Sequence, residues 1–231
     1  GMLMRIVISA LMVWLLAAGA ALAAGGGSSG PSGGSMGSMP APRSPDELAM
    51  AAYKSGVKQI EKAKSAETDA AAATDPGRQK KESEKAARSY GDARDYFTKA
   101  TAKKPGMYEA WNYLGYSERK LGNYPEALSA YDHALQLNPN YGEAIEYRGE
   151  AYLGLNRTDD AKAAYLQLFG SARPLADQLM AAMHLWVAAR REDPKGLSAG
   201  DLDAFAHWVD ERGQLAQQTA SLGIGLVNQT W

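Results

Sequence analysis

The chain offers catalysis three histidines and no cysteine. His133, His184 and His207 stand apart from one another, and none belongs to an H-E-x-x-H pair. Asp203 precedes His207 by four residues and would share a helix face with it, but no third donor accompanies them, so the two read as a surface pair rather than a metal site. Gly223-x-Gly225 lacks the further glycine and the preceding strand of a dinucleotide-binding turn. Asn156-Arg157-Thr158 and Asn228-Gln229-Thr230 spell glycosylation sequons, a pattern common by chance. The absence of cysteine removes thiol nucleophiles, thiolate metal sites and disulfides. No enzyme activity, cofactor or metal is expected, and the fold must rest on packing.

What remains is charge. The net charge is only −1, yet it is unevenly placed. Residues 43–104 carry 14 Lys and Arg against 10 Asp and Glu, and residues 105–231 carry 10 against 16. Lys54, Lys58 and Lys62 form a row at four-residue spacing, and Lys80, Lys81, Lys85 and Arg88 follow. A solvated helix face is the simplest reading of such a row. Its alternative is a basic surface for an anionic polymer or a membrane, whose affinity would fall steeply with salt. Nucleic acid is not an expected partner, and association with further copies of the chain is left open.

These side chains sit on a succession of helical patterns. Arg5, the apolar run from Ile6 to Ala18, and Ala21-Leu22-Ala23 have the layout of a secretory signal over residues 1–23. Gly1, ahead of Met2, is set aside as an expression scar. A bacterial export signal, delivering the protein to the periplasm or medium, is the expectation. An uncleaved N-terminal anchor is the alternative, and with no cysteine after the cleavage site a lipoprotein is excluded. Residues 24–43, rich in Gly, Ser and Pro, read as a flexible tether. The helical domain occupies 44–231. Ser44-Pro45-Asp46-Glu47 is a capping box, opening a helix with Met50, Tyr53, Val57 and Ile60 as its apolar stripe. After a break at residues 70–77, a second helix shows Ala87, Tyr90, Ala93, Phe97 and Ala100. Residues 44–105 thus form one elongated hairpin with arms of about 20 to 25 residues, or roughly 30 to 38 Å.

The centre is residues 108–141. Trp111, Leu114, Gly115 and Leu121 share one helix face, Gly122-Asn123 stops that helix, and Pro125 starts a second bearing Ala127, Leu128, Tyr131, Ala134 and Leu135. Pro139 closes the unit. Shifting by 34 residues turns Gly115 into Gly149, Ala127 into Ala161 and Tyr131 into Tyr165; shifting back gives Ala93, Phe97, Ala100 and Pro105. This period of paired helices, with W-x2-L-G, a later Ala, an aromatic four residues on and a closing Pro, resembles the tetratricopeptide repeat. Glu118 departs from the pattern where Tyr is expected, Arg148 where Leu is expected, and Pro174 comes one residue late. Residues 142–174 form the next repeat. Residues 175–231 form a divergent capping hairpin: Leu175, Leu179, Met183 and Trp186 lie on its first helix, Ser198-Ala199-Gly200-Asp201 caps its second, and Ala204 with Trp208 copies the Ala-then-aromatic spacing. Gly223-Ile224-Gly225 is expected to interrupt that last helix.

The resemblance implies an all-α antiparallel hairpin stack, a short right-handed solenoid whose first helices line a concave groove. Carried over by position, the groove would be lined by Asn112, Tyr116 and Arg119 from one repeat and Glu143, Glu146, Tyr147 and Glu150 from the next. Three acids there disfavour a peptide carboxylate and favour a basic or amide-rich extended segment. The implied role is a non-catalytic scaffold that binds a partner protein outside the cytoplasm, assisting assembly of an envelope complex.

Overall fold

Eight helices account for most of residues 43–227, the part of the chain that the computed structural model describes, with side chains through residue 220. They are α1 (Pro45–Ala72), α2 (Pro76–Lys103), α3 (Tyr108–Lys120), α4 (Tyr124–Leu137), α5 (Gly142–Gly154), α6 (Thr158–Ser171), α7 (Arg173–Glu192) and α8 (Ala199–Val227). The signal-like residues 1–23, the tether apart from Arg43, and the second sequon at Asn228 lie outside the described residues. Consecutive helices pack on one another as antiparallel hairpins. The all-α stack expected from the 34-residue period is the fold.

Local chemistry explains where each helix begins. The Ser44 hydroxyl accepts the Glu47 N–H at 3.1 Å while the Glu47 carboxylate accepts the Ser44 N–H at 2.7 Å, so two otherwise orphaned donors at the start of α1 are satisfied. Asp75 caps α2 through the Arg78 N–H at 2.7 Å, with Pro76 in the first turn. Ser198 caps α8 by accepting the Asp201 N–H at 3.1 Å, and its hydroxyl donates to the Asp201 carboxylate at 2.6 Å.

The elongated hairpin is longer than the spacing suggests. Each arm runs 28 residues, about 42 Å at 1.5 Å per residue. Its register is set by Phe97 against Gly56 and by the Tyr90 hydroxyl, which donates to Glu67 at 2.9 Å. The buried face of α1 is Ala49, Gly56, Ile60, Ala63, Ala66 and Ala70, whereas Met50 of the expected stripe is 43% exposed. On α2 the buried residue is Ala86, not Ala87. Small residues let the two helix axes approach, and that contact outranks the larger side chains one position away.

Two standard hairpins follow. Tyr131 and Tyr165 are buried in their cores, as the repeat requires. Gly122, at φ +83°, ends α3, with the Asn123 N–H bonded to the Glu118 carbonyl at 2.9 Å. Thirty-four residues on, Asn156 takes the same left-handed position at φ 58°, with the Arg157 N–H bonded to the Tyr152 carbonyl at 2.8 Å. The departures from the repeat pattern find uses of their own. Glu118 accepts the Asn123 amide at 2.7 Å, and Arg148 pairs with Asp132 at 2.7 Å.

In the C-terminal hairpin, Trp186 donates its indole N–H to the Leu153 carbonyl at 2.6 Å, joining α7 to α5. On α8 the inward residues are Leu202, Phe205, Ala206 and Val209; Ala204 is exposed and Trp208 only half-buried. The Ala-then-aromatic alignment is therefore off by one residue, because Phe205 takes the inward position, edge-on to Trp186 at 5.2 Å. α8 also runs through Gly223 and Gly225 to Val227 rather than breaking there. A helical Gly costs only about 1 kcal/mol, which neighbouring turns can carry.

First helices touch the next first helix, α1 to α3, α3 to α5 and α5 to α7, whereas no comparable contact joins α2 to α4 or α4 to α6. The stack therefore closes on the first-helix side, which is its inner face.

Candidate interaction surface

The residues predicted to line the groove come together, but most form its floor rather than an open wall. Asn112, Tyr116 and Glu146 are buried, at 1%, 7% and 2% exposure. Tyr116 packs on Tyr147 at 5.0 Å between ring centroids, and Tyr147 is half-buried. The Arg119 side chain is 12% exposed; it pairs with Glu150 across the α3–α5 interval and lies 5.2 Å over Tyr116 and 5.4 Å over Tyr147. From α1, Lys64 lies over Tyr116 at 5.4 Å, and Lys120 of α3 reaches back to Glu67 at 2.6 Å. The large side chains of α3 and α5 interleave with α1 alongside, so that only the half-buried edges of Arg119, Tyr147 and Glu150 reach the surface here. Only Glu143 among the seven is exposed.

The floor is an electrostatic network in a poorly solvated place. Burial first, and then the adjacent Glu150, push the Glu146 carboxyl well above the ordinary carboxylate range, with Arg119 opposing the shift. Glu150 in turn helps hold Arg119 charged. Burial pushes the Tyr116 hydroxyl up to about 12 and raises Tyr131 and Tyr147 as well. The result is a buried carboxyl beside a carboxyl–guanidinium pair, locked between two repeats. Such groups hold neighbouring repeats in register.

The accessible part of the inner face lies toward the N-terminal ends of α3 and α5, where Tyr53, Tyr108, Tyr113 and Tyr141 gather, each half-buried. Tyr108 meets Tyr141 edge-on at 4.9 Å, and Tyr53 meets Tyr113 edge-on at 5.9 Å. Burial first, and then Glu109 or Glu143, hold the hydroxyls of Tyr53, Tyr113 and Tyr141 above their ordinary range. Neither Glu109 nor Glu143 forms an ion pair among the described residues. The seven residues expected from the sequence include Glu143 but not the four tyrosines or Glu109. A signal was present: 12 Tyr against 3 Phe marks an unusual supply of rings that want one edge in water.

The basic residues of the long hairpin do not gather into one patch. Lys54, Lys58 and Lys62 are exposed on α1, while Lys80 and Lys85 are paired with Glu84 and Glu82 of α2. Tyr53 sits beside Phe97, so Lys54 and Lys81 are separated by about 24 Å along the hairpin at 1.5 Å per residue. Lys81 and Arg88 lie exposed on the second arm.

The histidines are likewise dispersed. His133 stacks on Trp111 at 4.4 Å, His184 lies 3.9 Å from Asp210, and His207 pairs with Glu211 at 3.2 Å rather than with Asp203. Among the described residues no group of three metal-binding side chains converges, and no helix is long and apolar enough to cross a membrane.

Two family models, both described as tetratricopeptide repeat, match this sequence over residues 82–142 and 118–183. Among solved structures, the chain is similar to the first TPR domain of Spaghetti (RPAP3) bound to the HSP90 peptide SRMEEVD, at 17% identity over 72% of this chain and 94% of that one, with a TM-score of 0.41. It is also similar to the TPR2B domain of yeast Sti1 in its pHsp70 complex, at 14% identity over 66% and 98% of the two chains, with a TM-score of 0.32.

Proposed function

We propose that this chain, whose fold is a tetratricopeptide-type hairpin stack, is a non-catalytic interaction scaffold that holds a segment of a partner protein against the inner face of α1, α3 and α5. The observation that carries the reading is the open cluster of half-buried tyrosines beside the unpaired carboxylates of Glu109 and Glu143. Rings with polar tips give flat contact area at low entropic cost, a composition suited to gripping an extended peptide. The signal-like residues 1–23 support export, and assembly of an envelope complex is the task such a scaffold would serve.

The test is site-specific photo-crosslinking in cells, with the reactive group placed at Glu143 on the inner face or at exposed Leu166 on α6. A partner joined from 143 and not from 166 is the expected result. Equal capture from both positions, or capture only from Lys54, Lys58 and Lys62, would remove the inner face as the binding surface. Intact-mass analysis of the same preparation tests export: a species beginning at Ala24 is expected, and full-length chain held in the membrane fraction would show an uncleaved anchor.

A further inference from the structure

We propose that the tyrosine cluster of α1, α3 and α5 is a cation-binding site, in which Tyr53, Tyr108, Tyr113 and Tyr141, flanked by Glu109 and Glu143, receive a lysine or arginine side chain of the partner segment. The proposal rests on the reading of the inner face as the interaction surface and names the chemistry that this face selects.

Five of the other eight tyrosines carry the argument; of the remaining three, Tyr131 and Tyr165 are buried in the core and Tyr124 covers Gly154. Lys64 and Arg119 lie over Tyr116, Arg119 over Tyr147, Lys120 over Tyr90, Lys99 over Tyr96, and Arg148 with Arg157 over Tyr152, at 4.7 to 5.8 Å from the ring centroids. These are ordinary cation–π distances. Over the four clustered rings, no cation of the described residues takes that place. The nearby acids differ in the same way. Glu67 and Glu150 of the floor are neutralised by Lys120 and Arg119, whereas Glu109 and Glu143 are left without a basic partner among the described residues.

The local field has the sign a cation needs. Tyr113 lies within reach of both Glu143 and Glu61, and Tyr141 within reach of Glu143 and Glu109. The N-termini of α3 and α5 oppose them, but a helix end contributes only about half a positive charge. Glu61 is shared with Lys64, but Glu109 and Glu143 alone outweigh two such ends. An incoming ammonium or guanidinium would meet ring faces and unpaired carboxylates together, while a peptide carboxylate would be repelled.

The test uses the full chain with isotope-labelled tyrosine rings and three blocked peptides of the same length: one with lysines spaced by glycine and serine, one with acetyl-lysine in their place, and one with glutamate. The lysine peptide is expected to shift the ring signals of Tyr108 and Tyr141, assigned through their Phe variants. The acetylated and glutamate peptides should leave those signals unmoved. Glu109→Gln with Glu143→Gln should weaken the lysine peptide at least tenfold while circular dichroism shows an unchanged helical fold. Tyr141→Leu, which keeps apolar volume but removes the ring, should weaken it several-fold. Equal binding of the acetylated peptide, or full affinity in the double Gln variant, would overturn the cation assignment and leave the inner-face scaffold standing. If no peptide moves these rings, the assignment falls; the scaffold falls with it only if crosslinks from position 143 are also absent.

Discussion

The ring of Tyr131 lies directly over Gly115, so closely that a β carbon at position 115 would stand 2.7 Å from Cε1 and 2.8 Å from Cδ1. The hairpin of α3 and α4 closes through this contact, and it gives the repeat's glycine a steric rather than a conformational cause. Gly115→Ala gains helix propensity of about 1 kcal/mol but forces the buried ring or the backbone to move, and the net expectation is destabilisation by about 1 to 3 kcal/mol. Gly91, with no neighbouring atom within 4 Å of its β-carbon position, is the control. Gly91→Ala should stabilise by about 0.5 to 1 kcal/mol. Urea unfolding of the two variants should therefore move in opposite directions; a shared direction would mean that the ring yields without cost.

Asn156 joins the second standard hairpin to the capping one. Its backbone is left-handed, its amide NH2 donates to the Lys195 carbonyl at 3.1 Å, and its amide oxygen accepts from Arg190 Nε at 2.9 Å. Asn156→Ala loses both bonds and strains the backbone, for an expected cost of about 2 to 4 kcal/mol. Asn156→Gly loses the bonds alone and should cost less. Thermal unfolding that ranks Gly at or below Ala would contradict the conformational part. The formal sequon at this position is thus spoken for structurally, and intact mass should show no glycan on it.

The period, the hairpins and the buried Tyr131 and Tyr165 were legible in the sequence because the repeat fixes both spacing and residue size. Registers that depend on which small residue faces a neighbour were not. Ala49 and Met50, Ala86 and Ala87, and Ala204 and Phe205 are adjacent choices that only the helix partner decides. The groove illustrates the same limit at the candidate site. Position within the repeat placed the seven residues on one side of α3 and α5, but it could not show that Arg119 and Glu150, 31 residues apart, would meet in the floor. Nor could it reveal that Tyr53, from the divergent hairpin, would join Tyr113 at the open end.

Protection against hydrogen exchange should follow the packing. The turn between α1 and α2 is exposed from Ala71 to Arg78 apart from half-buried Ala73, and the ion pair and ring contact that α3 makes with the long hairpin fall at Glu67 and Tyr90, short of that turn. Exchange should be fastest over about residues 70 to 80 and slowest over the central hairpins, where local opening requires separating α3 from α5 or α5 from α7. Uniform protection from α1 to α6 would show that the long arms unfold only together with the repeats.

Stability should fall as pH rises through the range in which Glu146 ionises in the folded state. Glu146 is 2% exposed, and its carboxyl faces Glu150 and Glu143 of its own helix, Arg119 of α3 and Tyr131 of α4. Burial is the largest cause of its raised pKa and Glu150 the next, and Arg119 only partly offsets them. A raised folded pKa means that the folded chain holds a proton that the unfolded chain releases near the ordinary value of 4.5. The contribution is therefore complete below about pH 4.5, declines above it, and is gone once pH passes the folded pKa. Glu146→Gln keeps the shape and an N–H donor toward Glu150 without the charge. The variant should match the parent near pH 4.5 and exceed it in stability at pH 8 to 9, read from urea midpoints across that range. A parent and variant with parallel pH profiles would mean that Glu146 is ionised in the folded stack, with Arg119 shared between two carboxylates instead of held by one.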